Sequence, residues 1–239
     1  MNNQDTIYDR ISKIDWKAVH SELNEFGAAR ISSVLDPEEC QATAGLYDED
    51  ALFRSHIRMA RHGFGRGEYK YWSYPLPELV QVLRSELYPP LAEVANDWRK
   101  SLGYEQPFPV TLDEYISRCH SADQNRPTPL LLKYQTGDYN CLHQDLYGEH
   151  VFPLQVAILL SKPDQDFTGG EFVLTEQRPR MQSRAEVISL TQGDAVIFPV
   201  NARPIQGTKG TYRVKMRHGV SRLHSGERYT MGIIFHDAA

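Results

Sequence analysis

FPLQVAILL (152–160) alternates Phe152, Leu154, Val156, Ile158 and Leu160 with Pro153, Gln155, Ala157 and Leu159. A period of two is the mark of a β-strand with one face in a core. Outward from it the same rhythm recurs. GEFVLT (170–175), AEVISL (185–190) and DAVIFP (194–199) follow at close intervals, separated by turns containing Gly or Pro. VKMRHGV (214–220) sets Val214, Met216, His218 and Val220 on one face, and RYTMGIIF (228–235) sets Arg228, Thr230, Gly232 and Ile234 together. LLKYQT (131–136) opens the series, so the span 130–236 predicts about eight short strands.

Upstream the pattern is helical. Ile7, Ile11, Ile14, Val19, Leu23 and Phe26 lie at helical spacing, which predicts an amphipathic helix over 6–26, ended by Gly27. AARISSVL (28–35) reads as a strand. Asp36-Pro37-Glu38-Glu39 carries a capping Asp, Pro at the first turn and Glu at the third position, so a helix follows to Tyr47. Residues 56–74 interleave Arg58, Arg61, Arg66 and Lys70 with Phe64, Tyr69, Tyr71, Trp72 and Tyr74, and three Gly suggest a flexible loop. Residues 76–103 read as one or two helices, broken or kinked near Pro89-Pro90. Residues 111–120 read as a short helix and 121–129 as a polar, Pro-rich linker. Helices first and strands after argue for an α+β protein. The expected division is a helical extension with substrate-side loops over 1–125 and a strand core over 126–239.

The bulk numbers fit a soluble globular chain: 239 residues, 41% hydrophobic and 24% charged. No apolar run approaches the roughly 20 residues of a membrane helix. MNNQDTIYDRISKIDW (1–16) has no apolar signal-peptide core, and three unpaired Cys (40, 119, 141) suit a reducing compartment, so a cytoplasmic location is expected. The net charge of −5 is unevenly spread. Residues 1–50 hold eleven acids and four bases, about −7, whereas 177–228 hold ten bases and three acids, about +7. A local basic field matters more to an anionic partner than the total, although scattered bases on outward strand positions explain the same count.

QTGDYNCLHQDLYG (135–148), KMRHGVSR (215–222) and GERYTMGIIF (226–235) carry the chemistry. His143-x-Asp145 places an imidazole and a carboxylate two residues apart, on one face if the segment is a strand. With His218 they make a set of two histidines and one carboxylate, the facial triad that holds Fe(II) and leaves positions open. A hydrogen-bonded His–Asp pair and a core His are the plainer readings of the same residues. Arg228, ten residues after His218, suits a carboxylate held bidentately, and Thr230 on the same strand face adds a donor. Tyr134 adds a phenol that either bonds a co-substrate or packs in the core.

The order H-x-D, then GGEF (169–172), GDAVIFP (193–199), His218 and R-x-T resembles the Fe(II)/2-oxoglutarate-dependent dioxygenase superfamily over residues 130–236. Tyr134 and Gly137 match the Y-x-x-G lead-in of its prolyl-hydroxylase-like branch. The longer runs HQDLYGEHVFPLQVAILLS, FTGGEFVLTEQRPRMQSR, MRHGVSR and GIIFHDA are similar to a bacterial family described as nucleic-acid oxygenases. The resemblance implies a double-stranded β-helix (jelly roll) with helices bracing one sheet. It implies Fe(II) on His143, Asp145 and His218, 2-oxoglutarate on Arg228, Thr230 and Tyr134, and O2 as oxidant. Hydroxylation of a C–H bond, with release of succinate and CO2, is the implied reaction. Two substrate classes stand open at this point. One is a modified DNA or RNA base, for which the 56–74 stretch and the basic strands provide rings and cations. The other is a protein side chain or small metabolite. A binding module that keeps the barrel without turnover is a third reading.

Overall fold

The structure, a computed structural model, describes residues 5–146, 148–208 and 210–239. Tyr147, within the His-x-Asp stretch, and Lys209, one of the bases counted above, lie outside that description.

Two antiparallel sheets face each other. The larger contains β1 (Ala29–Ile31), β11 (Ala195–Pro199), β7 (Leu154–Leu159), β14 (Leu223–Ile233), β5 (Leu130–Gln135), β4 (Glu68–Trp72) and β2 (Phe53–Arg58) in that spatial order, with β8 (Phe167–Gly169) beside β14. The smaller runs β10 (Arg184–Ile188), β9 (Phe172–Gln177), β13 (Gly210–Val220), β6 (Tyr139–His143) and β3 (Gly65–Arg66), with β12 (Ala202–Gly207) beside β13. Among the described residues ten strands therefore run from residue 130 onward, where the alternation predicts about eight. This is the jelly roll that the resemblance implies.

The period-two reading of 152–160 assigns each face a partner. Leu154, Val156, Ile158 and Leu160 pack outward against the helices, in one core with Leu83, Leu87, Tyr88 and Tyr115. Leu159, of the opposite parity, joins a second core between the sheets with Phe172, Phe198, Val214 and Met216. Two apolar faces on one strand explain a run that is hydrophobic almost throughout. Three strands of the larger sheet, β1, β2 and β4, come from the first 125 residues.

Several expectations need correction. The single helix over 6–26 is two, α1 (Ile7–Ser12) and α2 (Trp16–Glu25), because the Asp15 side chain accepts from the backbone of Lys17 and Ala18 and starts a new helix. The strand over 28–35 shrinks to β1: Ser33 has φ 53° and donates its N–H to Asp194, which turns the chain away. The helix α3 (Pro37–Gly45) begins on the expected Asp36–Glu39 capping box but tightens into a 3-10 turn at Leu46–Asp48. The broken helix over 76–103 is one element, α4 (Glu78–Ser101). The two prolines fall on its outer side, as do Ser85 and Glu86 one turn earlier, so the two N–H groups that proline lacks are missing where the helix is open to solvent. The helix α5 (Leu112–His120) stands where expected, capped by Thr111.

The flexible loop over 56–74 is mostly a hairpin of β2 and β4. Aromatic side chains favour a pleated, half-buried surface, and here the alternation is used on both faces. Lys70 and Trp72 are buried toward the helices, while Tyr69 and Tyr71 line the space between the sheets. Glycines 63, 65 and 67 are confined to the tip.

Candidate metal centre

His143 closes β6 and His218 stands directly opposite it on β13. Inward parity with Val214 and Met216 places His218 between the sheets, as the sequence predicts. Asp145 lies just past the end of β6 instead of on it; its N–H donates to Val200 O at 3.3 Å, which draws the segment toward the end of β11. The three side chains converge. His143 Nε2 is 3.4 Å from Asp145 Oδ1, and His218 Nε2 is 3.3 Å from Asp145 Oδ2. One ligand atom from each lies within 4.8 Å of the others.

The surroundings fix these orientations. His143 Nδ1–H donates to Cys141 O at 2.8 Å, which leaves Nε2 as the free ligand atom. Phe198 and Phe172 wall the His218 ring, with centroids 4.6 and 6.1 Å away. Burial pushes the Asp145 carboxyl up, but the two imidazoles outweigh it and hold it well below the usual range. Burial lowers His218, whereas in His143 the bond to Asp145 overcomes burial and raises it. An ionised carboxylate and imidazole nitrogens held face to face are the donor set of a divalent transition metal.

Gln155 is a site residue that motif reading misses. It is 4% exposed, and its amide donates to Asp145 Oδ2 at 2.8 Å, with His218 Nε2 at 3.4 Å. The signal was present: a carboxamide in the middle of an otherwise apolar strand. Gln144, just past β6, donates to Asn201 O and Met216 O, tying the end of β6 to β13 and to the turn before β12. Cys141 is exposed and contributes its carbonyl, not its thiol.

Behind the triad, Arg228, Thr230, Gly232 and Ile234 share the inner face of β14, as the sequence predicts, and all four line one cavity of about 160 Å3. Arg228 is 2% exposed. It donates to Thr230 Oγ1 at 2.5 Å, its Nε has no partner, and no acid pairs with it among the described residues. Burial lowers it to about 10, so it stays charged at neutral pH. Tyr134 pairs with Arg228 across β5 and β14, and its hydroxyl is buried without a hydrogen bond. A buried cation and an orphaned phenol facing one cavity are costly unless a ligand satisfies them. An anion with two or more acceptor oxygens fits.

A family model described as an oxygenase catalysing oxidative methylation of damaged DNA matches residues 67–238. The chain belongs to this oxygenase family. The resemblance read from its motifs is thereby borne out. Two uncharacterized proteins from strains of Mycobacterium tuberculosis are 52% identical over 165 residues, 69% of this chain and 71% of each of theirs. Among solved structures, a prolyl 4-hydroxylase from Phytophthora capsici aligns with all of this oxygenase and 68% of its own chain, at 19% identity and a TM-score of 0.57. A Pseudomonas putida prolyl-4-hydroxylase covers 93% of the oxygenase and 100% of its own chain (13% identity, TM-score 0.53). A 2OG-Fe(II) oxygenase family protein from Burkholderia pseudomallei covers 95% and 94% (13% identity, TM-score 0.52). At these identities the likeness is one of fold.

Proposed function

We propose that this oxygenase uses Fe(II), 2-oxoglutarate and O2 to hydroxylate a C–H bond, and that its substrate is a modified base in nucleic acid. The observation that carries the chemistry is Arg228, a buried guanidinium without an acid, lining the same cavity as the triad. His143, Asp145 and His218 would hold the iron. Bound there, iron with 2-oxoglutarate supplies the oxidising power that places one oxygen atom of O2 in the substrate and the other in succinate, with loss of CO2. Arg228 and Thr230 bind the far carboxylate of the co-substrate, and the Tyr134 hydroxyl donates to it. Gln155 holds Asp145 in its ligating pose. Tyr69, Tyr71, Leu130 and Leu132 keep water from the reacting carbon.

Three observations support a base as substrate: the family description, the aromatic lining at Tyr69 and Tyr71, and the cations of the 53–72 hairpin, which we read as the substrate-side segment of the 1–125 extension. If the hydroxylated carbon is an N-methyl group, the product loses formaldehyde and frees the nitrogen. The cavity itself favours a second reading in one respect. Arg228 is the only Lys or Arg in its lining among the described residues, so an apolar metabolite or protein side chain also fits the interior. Three free cysteines, two of them buried, support a reducing, cytoplasmic location.

The test is succinate formation by the iron-loaded protein, with N-methylated and unmodified oligonucleotides and with proline-containing peptides. Iron-dependent succinate matched by formaldehyde from the methylated strand is expected. Succinate coupled only to peptide or metabolite would replace the nucleic acid by the second substrate class. A protein that neither retains iron nor binds 2-oxoglutarate would be a binding module.

A further inference from the structure

The turn between β2 and β4 is the segment for which the metal chemistry gives no use. It sits at the mouth of the cavity. Phe64 lines that cavity and yet is 46% exposed. The His62 ring lies on it, with centroids 5.3 Å apart and planes 22° from parallel. Both rings face solvent, and an exposed aromatic pair at the rim of a site is a surface awaiting a flat partner.

The pair is held rigidly. Met59, fully buried, receives the N–H groups of His62 and Phe64 at 3.0 and 3.2 Å, and its own N–H donates to Gly67 O at 3.0 Å. Phe64 O accepts from Cys141 N at 2.9 Å, and Gly65 pairs with Asn140 on β6, three residues before His143. Only glycine permits this approach. Gly65 has φ +128°, and a Cβ there would stand 2.4 Å from Tyr139 O. Gly67 has φ +110°, and a Cβ there would stand 2.8 Å from the Tyr134 ring. The backbone is thus clamped against the metal strand on one side and the co-substrate strand on the other.

Arginines flank the two rings along the chain. Arg61 is exposed and pairs with no acid among the described residues. Arg58 and Arg66 are each 61% exposed and only loosely paired, at 4.0 Å to Glu68 and 3.7 Å to Asp138. Rings flanked by lightly neutralised guanidinium groups fit a chain that alternates flat bases with phosphates.

We propose that the His62–Phe64 pair is a stacking platform for an unpaired base of single-stranded nucleic acid, with Arg58, Arg61 and Arg66 against the flanking phosphates. The proposal deepens the nucleic-acid reading and rests on it. A base on this platform lies beside the base that enters the cavity toward Tyr69 and Tyr71. Single strands are the preferred form, because a duplex must first extrude its base.

The experiment uses the full chain with Fe(II) and 2-oxoglutarate under nitrogen, so that nothing turns over. The probe is a single-stranded DNA carrying the fluorescent base 2-aminopurine. Binding is expected to quench the probe. Phe64→Ala should abolish the quench and weaken binding roughly tenfold, in line with the loss of one base–aromatic stack. Phe64→Trp should keep both, which separates stacking from misfolding. Arg61→Ala should lower the salt dependence of binding by about one phosphate contact. Wild-type quenching that survives in Phe64→Ala overturns the platform and leaves the nucleic-acid reading intact, as does loss of binding in Phe64→Trp alongside Phe64→Ala. If Phe64→Ala impairs capture of a proline-containing peptide and spares DNA, the surface belongs to a protein substrate and the proposal falls. A wild-type protein that binds no oligonucleotide even at low ionic strength removes both readings together.

Discussion

At the residue scale, Arg228 and Gln155 make the sharpest predictions. Arg228→Met replaces the buried cation by an apolar side chain of similar length and, on the proposed reading, leaves the co-substrate's far carboxylate without its partner. The affinity for 2-oxoglutarate, measured by equilibrium titration of the iron-loaded protein, should fall about 100-fold, the usual effect of removing one side of a buried charge pair. Unchanged affinity would mean that Arg228 faces another ligand. Gln155→Leu keeps the volume and removes the donor to Asp145 Oδ2. Losing a hydrogen bond behind a metal ligand typically costs 10–100-fold in affinity, so a competition titration with a chelator should show iron held about that much more weakly. Equal retention by both proteins would sink the positioning role. That His143, Asp145, His218 and Arg228 gather at one cavity was legible, because their spacing and strand parity turn all four toward the space between the sheets. Gln155 was not, because a single amide in an apolar strand has many structural explanations until its partner across the sheets is seen.

Among elements, α4 shows what sequence rhythm misses and what it cannot weigh. Pro89-Pro90 reads as a break, but a helix with ten buried side chains holds through two missing hydrogen bonds on its outer side. Likewise the 56–74 stretch reads as a loop from its glycines, while the pairing of Phe53–Arg58 with Glu68–Trp72 depends on a neighbour, β5, sixty residues away. The inner strands were legible because both of their faces are buried, which makes each a short, almost wholly apolar run bounded by turn residues. The same helix makes a prediction. Arg84, 1% exposed, crosses the core to Ile234 O at 2.8 Å and Asp237 at 2.7 Å, fastening α4 to the segment after β14. Asp237 also meets His120 and the Tyr74 hydroxyl, each at 2.9 Å. Breaking a buried pair by removing one partner strands the other, at about 3–5 kcal/mol. Arg84→Met should therefore lower unfolding stability by about 3 kcal/mol, the low end of that range, because two donors to Asp237 remain. A urea midpoint within error of the wild type would show that the pair contributes nothing net.

For the whole molecule, acid sensitivity follows from groups that are buried far from the surface. His236, with no exposed surface, accepts from Phe152 N at 3.3 Å, and its Nε2 has no partner. Burial holds it down to about 4, against about 6.5 when unfolded. The unfolded chain therefore takes up this proton first. The stability contributed by a neutral His236 is complete above pH 6.5 and is lost as the pH falls toward 4, by about 3 kcal/mol in all. Glu176, bound by Arg178 and Arg203, and Asp194, bound by Thr191, Ser33 and Arg30, act lower on the scale. Burial pushes both carboxyls up, but these bonds outweigh it and hold them below their ordinary values, so their contribution is lost only as the pH drops through and below the normal carboxylate range. Stability should thus decline in two stages, the first carried by buried imidazoles, His236 and His218, and the second by carboxylates. Urea unfolding of wild type and His236→Asn between pH 7 and 4.5 separates them. The substitution should make the first stage shallower, since it removes one of the two buried imidazoles, and spare the second. A wild-type curve that is level from pH 6.5 to 4.5, or a His236→Asn curve with the same slope, would show that the buried imidazole is not the source.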